Sequence, residues 1–349
     1  MKPAMPHTNN TLSSTPQLHA FYKRMDTLVT QQPALSEMSQ FYRAALPIVW
    51  AAQQHVEPFV LAPAVVHQKL QAGVPLLVGE ELPLDEEQLR TLFVELCRVV
   101  ETLEHAPDLT RTKGGNKETV GRALFSFFKR GEPDAVKLFD RVQNGDGASL
   151  RAAAAQQLRQ AVEQAHLDLG EVWMALLTAD EERLQQLAGN AKLDGSLLHT
   201  LGQHTLQPAL RRWATDLKPL ADFDNAWFAG IWQQVGCPMC GGAPLLGEIA
   251  GKEGARRLRC SACGLGWGYP RLFCAHCGNQ DHHKMGYLSV EGEEEKYRVQ
   301  TCVVCQGYLK IVTTFDPIPA NQLPIEDLAT VHLDAIATQH GFMGASVIR

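Results

Sequence analysis

The chain has 349 residues and a mass of 38.5 kDa, with 32 basic against 38 acidic side chains and a formal charge of −6. At about 150 residues per domain this length points to two or three domains. A composition of 45% hydrophobic and 20% charged residues excludes wholesale disorder, collagen and coiled coils. The mild acidity argues against a protein that coats nucleic acid or an anionic membrane, and no apolar stretch approaches the ~18–20 residues of a membrane span.

Residues 1–16 read as a polar arm rich in Pro, Ser, Thr and Asn. They lack the apolar core of a secretory signal, so the expectation is a reducing cytoplasm in which disulfides do not carry the fold. Residues 17–230 read as a helical lobe. Its clearest element starts at Asp85, where Leu89, Leu92, Phe93, Leu96, Val100 and Leu103 recur at helical spacing. Asp85 with Gln88 resembles a capping box, and Leu84 with Leu89 a hydrophobic staple. Cys97 lies beside that apolar face and is read as a packed thiol rather than a nucleophile. Further helices are predicted over 18–30, 38–55, 63–71, 118–128, 133–143, 148–167, 169–178, 180–188 and 196–213. The pair Gly114-Gly115 lacks the Gly-Lys-Ser/Thr ending of a phosphate loop and is read as turn chemistry.

Eight of the nine cysteines fall between residues 237 and 305, as the four Cys-x-x-Cys pairs Cys237/Cys240, Cys260/Cys263, Cys274/Cys277 and Cys302/Cys305. This is the usual signature of tetrahedral thiolate metal sites, because a tight turn brings two thiolates three positions apart onto one ion. Gly241, Gly264 and Gly278 each follow the second cysteine of a pair, where a positive φ is needed; in the fourth pair the glycine, Gly307, stands one step late. Eight thiolates divide into two sets of four. Sequential grouping joins the first pair with the second and the third with the fourth, and an interleaved grouping remains open. Between the pairs, 245–249 and 256–259 read as one hairpin and 284–290 and 296–301 as another, with the acidic run Glu293-Glu294-Glu295 at a solvated tip.

Spacing does not separate zinc from a single rubredoxin-type iron. A closed shell of four sulfurs leaves no open position for an activated water, so these are poor hydrolytic centres. His276, His282 and His283 lie close to the cysteines and are placed outside the metal shell. After the last pair, 309–315 reads as a strand and 324–340 as a helix with Leu328, Val331, Ala335 and Ile336 inward, closed by Gly341.

The expected architecture is therefore an α+β multidomain chain: a flexible arm (1–16), an all-α lobe (17–230), two tandem rubredoxin-like or zinc-ribbon four-cysteine units (231–270 and 271–315), and a C-terminal helix and tail (316–349). The order runs from the helical lobe through Ala226-Trp227-Phe228-Ala229-Gly230-Ile231-Trp232 into Cys237-Pro238-Met239-Cys240-Gly241. Arg259-Cys260-Ser261-Ala262-Cys263-Gly264-Leu265-Gly266-Trp267 and Cys274-Ala275-His276-Cys277-Gly278-Asn279 follow. This resembles the formate dehydrogenase accessory protein FdhE family, most specifically over about 227–307. The resemblance implies a cytoplasmic, non-enzymatic maturation factor for respiratory formate dehydrogenase that binds the catalytic subunit before export. It also implies iron, with zinc as the alternative, at Cys237, Cys240, Cys260, Cys263, Cys274, Cys277, Cys302 and Cys305.

Two other readings compete. A zinc-ribbon nucleic-acid binder would use the cluster Arg256, Arg257 and Arg259, with Trp267 and Tyr269 stacking on bases, although residues 237–315 hold nine basic against seven acidic side chains and are nearly neutral. A redox or sulfur-handling factor would use an ion that changes valence.

Overall fold

Aspartates open several of the helices, and their placement explains where the helical lobe breaks. The computed structural model describes residues 16–103, 147–251 and 254–344. The helices are α1 (Pro16–Gln31), α2 (Ser36–Gln53), α3 (Pro63–Gln71), α4 (Glu86–Thr102), α5 (Gly147–Glu163), α6 (Leu169–Leu177), α7 (Glu181–Asn190) and α8 (Gly195–Leu217). Asp85, Asp168, Asp180 and Asp194 stand just before α4, α6, α7 and α8, each accepting a hydrogen bond from a backbone N–H of the first turn that has no partner inside the helix. The helices predicted over 118–128 and 133–143, the Gly114-Gly115 turn and most of the N-terminal arm lie outside the described residues. The long helix α8 is the centre of the lobe and touches α2, α4, α6 and α7. Cys97 is fully buried on α4, and burial pushes its thiol pKa up to about 12, in keeping with a packing role.

The C-terminal third forms one six-stranded sheet in the order β3-β2-β1-β6-β5-β4. Its strands are β1 (Pro244–Ala250), β2 (Ala255–Cys260), β3 (Gly266–Gly268), β4 (Met285–Leu288), β5 (Tyr297–Cys302) and β6 (Gly307–Thr314). Each half is the antiparallel hairpin expected from the sequence plus one more strand. The halves are not separate beads, however. β1 pairs in parallel with β6, Leu246 beside Lys310 through Ala250 beside Thr314, which fuses the two units into a single sheet. Because the units run in the same direction, the cysteine turns of both lie at the same end of the sheet.

One face of the sheet presents Leu246, Val299 and Val312 to α9 (Leu323–Ala329) and α10 (Val331–Gln339), which bury Leu323 and Leu333 there. The single helix expected over 324–340 is interrupted at Thr330 (φ −107°, ψ 14°), whose hydroxyl turns back onto the Glu326 and Asp327 carbonyls. The break lets Asp327 and Asp334 both reach the buried Lys310 ammonium, at 2.6 and 2.9 Å. Gly341 closes the segment with φ +83°, as its position predicts. On the lobe side, one continuous apolar cluster runs from the helices into the first unit, including Cys237, Met239, Leu258 and Trp267. Backbone bonds reinforce it: Leu76 and Leu77 donate to the carbonyls of Pro238 and Met239, 2.9 Å each.

A buried base in α8 makes the lobe sensitive to acid. His204 packs against the rings of Phe41 and Tyr42, and burial, with the Arg211 charge adding to it, pushes its pKa down to about 4. Unfolded, the same imidazole titrates near 6.5, so the unfolded chain takes up the proton first and stability falls as pH drops from about 6.5 to about 4. His204→Phe is expected to remove about 2 kcal/mol of the stability lost between pH 7 and pH 5, read as the difference in urea unfolding between the variant and the parent chain. Equal losses in the two proteins would refute this.

Candidate metal centres

The first Cys-x-x-Cys turn leads into β1 and the second leaves β2. Their four sulfurs, from Cys237, Cys240, Cys260 and Cys263, lie within 4.8 Å of one another. The third turn precedes β4 and the fourth joins β5 to β6, which gathers Cys274, Cys277, Cys302 and Cys305 in the same way. The grouping is sequential, not interleaved. It follows from the hairpins, which return the second turn of each unit to the first.

The sulfur spacings are those of a tetrahedral cage. Cys237 Sγ lies 3.6 Å from Cys263 Sγ and Cys240 Sγ 3.5 Å from Cys260 Sγ. In the second group Cys274 and Cys305 are 3.7 Å apart and Cys277 and Cys302 3.9 Å. Four metal–sulfur bonds of about 2.3 Å at tetrahedral angles would space the sulfurs about 3.8 Å apart, whereas a disulfide would bring two of them to about 2 Å. All nine cysteines are free. The turns also aim amides at sulfur: the N–H of Met239 donates to Cys237 Sγ and that of His276 to Cys274 Sγ, both at 3.4 Å.

Each turn closes on a left-handed residue. Gly241, Gly264 and Gly278 have φ of +79°, +72° and +70°. In the fourth turn the equivalent position is Gln306, φ +55°, and Gly307 is already the first residue of β6. The late glycine therefore does not do the work of the other three; a side-chain-bearing residue does. The Gln306 carbonyl accepts from the Met343 N–H at 2.8 Å, and Tyr308 N–H donates to the Met343 carbonyl at 3.1 Å, which holds the turn.

The two cages differ in surroundings. In the first, Cys237, Cys260 and Cys263 are buried. Burial pushes the Cys237 and Cys263 thiols up, whereas hydrogen bonds from Cys237, Cys240 and Cys263 pull Cys260 down. A group held this way carries four thiolates only with a cation at its centre. Even then, four thiolates around a divalent ion leave two negative charges in excess. Arg211 of α8 answers them. It is buried, with Nε and Nη1 lacking any hydrogen-bond partner; burial lowers its pKa to about 10 against the pull of Cys263, Tyr42 and Cys260. Gly242 packs so close that a Cβ there would stand 3.2 and 3.3 Å from Cys260 and Cys240 Sγ. Arg259 braces the second turn by donating to the Gly264 carbonyl at 3.0 Å while its Nη1 pairs with Glu248 at 2.5 Å. Donor chemistry, spacing and buried counter-charge all fit a tetrahedral cation. In the second cage Cys277 is exposed and Cys305 half-buried, beside the exposed Val303 and Val304.

The neighbouring histidines stand apart from both sulfur groups. His276 Nε2 lies 2.7 Å from the Tyr308 carbonyl, which can only accept, so that nitrogen carries the proton. Asp281, His282 and His283 form a separate, fully exposed group. The residues of the nucleic-acid reading are not on the surface. Arg256 and Arg259 are buried, Arg257 pairs with Asp224 at 2.8 Å, and Trp267 and Tyr269 are enclosed, Tyr269 edge-on to Trp227 at 4.7 Å. Sequence reasoning missed Arg211, Gly242 and Gln306. For the first, the available sign was the pair Arg211-Arg212 set among Leu210, Trp213 and Ala214.

In protein stripped of metal, a short pulse of iodoacetamide is expected to label Cys277 well before Cys237, Cys260 and Cys263, with peptide mass spectrometry as the readout. Labelling of Cys237 at the same rate would contradict the burial described.

Residues 236–271 match the family profile described as FdhE, central domain, and residues 272–348 that described as FdhE, C-terminal domain. A Protein FdhE homolog from Aquifex aeolicus is 36% identical over 143 residues, covering 40% of this chain and 46% of that protein. One from Pseudomonas aeruginosa is 34% identical over 203 residues, covering 56% and 58%. The chain thus spans about half the length of these relatives. The crystal structure of the FdhE protein from Pseudomonas aeruginosa aligns over 99% of both chains with a TM-score of 0.51 at 22% identity, a likeness of fold. Residues 236–348 thus match the FdhE central and C-terminal domains, and the whole chain shares the fold of a solved FdhE protein.

Proposed function

We propose that this chain is an accessory factor for assembly of respiratory formate dehydrogenase, working in the cytoplasm as a binding platform for the catalytic subunit before its export. The observation that carries this reading is a pair of four-sulfur cages at one end of a single sheet, within an FdhE central and C-terminal domain pair. Cys237, Cys240, Cys260 and Cys263 hold one metal ion, and Cys274, Cys277, Cys302 and Cys305 hold a second. Iron is the favoured ion by the resemblance and zinc the alternative, since the donor set suits both. When bound, each ion cross-links two turns that have little apolar core of their own. A shell closed by four thiolates offers substrate no coordination position, which supports a scaffolding role over catalysis. No described helix is long and apolar enough to cross a membrane, in keeping with a partner met before export.

Protein purified without oxygen is expected to carry two metal ions per chain by elemental analysis, falling to one in Cys277→Ser with the fold retained. Cys237→Ser is expected to lose the first ion and also protease resistance, because that cage is continuous with the lobe core. Full metal content in both variants would refute the ligand sets. For the partner, co-purification with the catalytic subunit is expected, and a deletion strain with normal formate dehydrogenase activity would refute the role. The exposure of Cys277 favours one second reading, a redox task confined to the second cage. Visible thiolate-to-iron absorption that bleaches with dithionite in the parent, and not in Cys277→Ser, would support it.

A further inference from the structure

On the sheet face turned away from α9 and α10 there is a cavity of about 440 Å³. Its floor is the seam between the two units, with Ile249 of β1 and Ile311 of β6 buried side by side and Gln300 of β5 beside them. Arg256, Arg271 and Arg298 all line it, and among the described residues no carboxylate does.

Arg256 is the informative residue. Only 3% of it is exposed, and the acceptors its guanidinium hydrogen-bonds are all neutral, while the neighbouring Arg271 charge works against it and the Cys274 thiol of the second cage favours it. Nη1 donates to Gln300 Oε1, and Nη2 donates to the carbonyls of Pro270 and Phe273. The face of Tyr269 lies 5.1 Å away. Its Nε has no partner, and the same is true of the buried Nε of Arg298, whose guanidinium lies 5.4 Å over the Tyr287 ring. Among the described residues, none of the three arginines forms an ion pair. Elsewhere in this sheet the buried cations are paired, Arg259 with Glu248 and Lys310 with Asp327 and Asp334. Burying a guanidinium without a counter-charge is costly, and unmet donors in a cavity mark the place where an acceptor is missing. The rim supplies apolar contact from Leu272 and Tyr287, which are 55% and 51% exposed.

We propose that this cavity is a binding site for an oxyanion, a carboxylate or a phosphate, carried on an apolar body. Arg271 and Arg298 clamp the anion from the rim, Arg256 supplies the buried field, and Leu272 and Tyr287 hold the body. Guanidinium groups suit this task because they donate in parallel pairs to planar or tetrahedral oxyanions. The site does not depend on the assembly role proposed above.

The test is a calorimetric titration of the full chain with inorganic phosphate and with two acetylated, amidated four-residue peptides that differ only in a central Glu or Gln between apolar residues. Saturable binding of phosphate or of the Glu peptide is expected, and at least tenfold weaker binding in the Arg271→Gln/Arg298→Gln double variant, which keeps the parent's circular dichroism and urea midpoint. If the double variant is destabilised, the exposed Arg271→Gln alone carries the comparison, with at least a threefold loss expected. Preference for the Glu peptide over the Gln peptide by tenfold identifies a peptide carboxylate as the source, and binding of phosphate alone identifies a free small ion. The inference is overturned by the absence of saturable binding, by unchanged affinity in the variants, or by equal binding of the two peptides without phosphate binding.

Discussion

The parallel pairing of β1 with β6 is the constraint on which the C-terminal third depends. Each unit taken alone is a three-stranded antiparallel ribbon with a cysteine cage at one end, too small to bury much apolar surface. The seam doubles the sheet, and a doubled sheet has a face wide enough for α9 and α10 to cover. It also makes the two units point the same way, which is why both sulfur groups share an end and why the arginine-lined cavity opens where the units meet.

Charge is handled differently on the two faces of that sheet. Under α9 and α10 it is balanced internally: Glu248 accepts from Arg259 and from the Ile318 N–H, and Lys310 lies between two aspartates. Burial alone would lower the Lys310 pKa, and Asp327 and Asp334 outweigh it and raise the pKa. This ion cluster therefore contributes stability that is fully present below the ordinary lysine pKa and is lost only as pH rises through the raised value. On the opposite face, Arg256 is left with neutral acceptors only. At the junction with the lobe, Arg211 faces the first cage with two donors unmet. Buried cations of this kind are expensive as structural parts, and each lies where an anion from outside the chain's own carboxylates would relieve it.

What the sequence carried in plain view was local. The four Cys-x-x-Cys turns, the glycines at 241, 264 and 278, the hairpins between them and the Asp85 cap each depend on residues within a few positions, and each is present as read. What it concealed was non-local. Nothing within β1 or β6 announces that they pair with each other across more than sixty residues. Thr330 reads as an ordinary helix residue until Lys310 requires two carboxylates from one segment. Arg256, Arg257 and Arg259 look like a surface patch because alternation along β2 places charges on both faces, and only the packed sheet shows that both faces are covered. Arg211 escaped for the same reason, since its counter-charge comes from a different domain.

Gln306 has one further consequence. A non-glycine residue in the left-handed region costs on the order of 1 kcal/mol, and here the strand-like contact of Met343 with Gln306 and Tyr308 offsets it. The brace of the second cage thus lies 38 positions beyond its last sulfur at Cys305, so a chain cut short of Met343 would keep all eight sulfurs and still lose the support of the fourth turn.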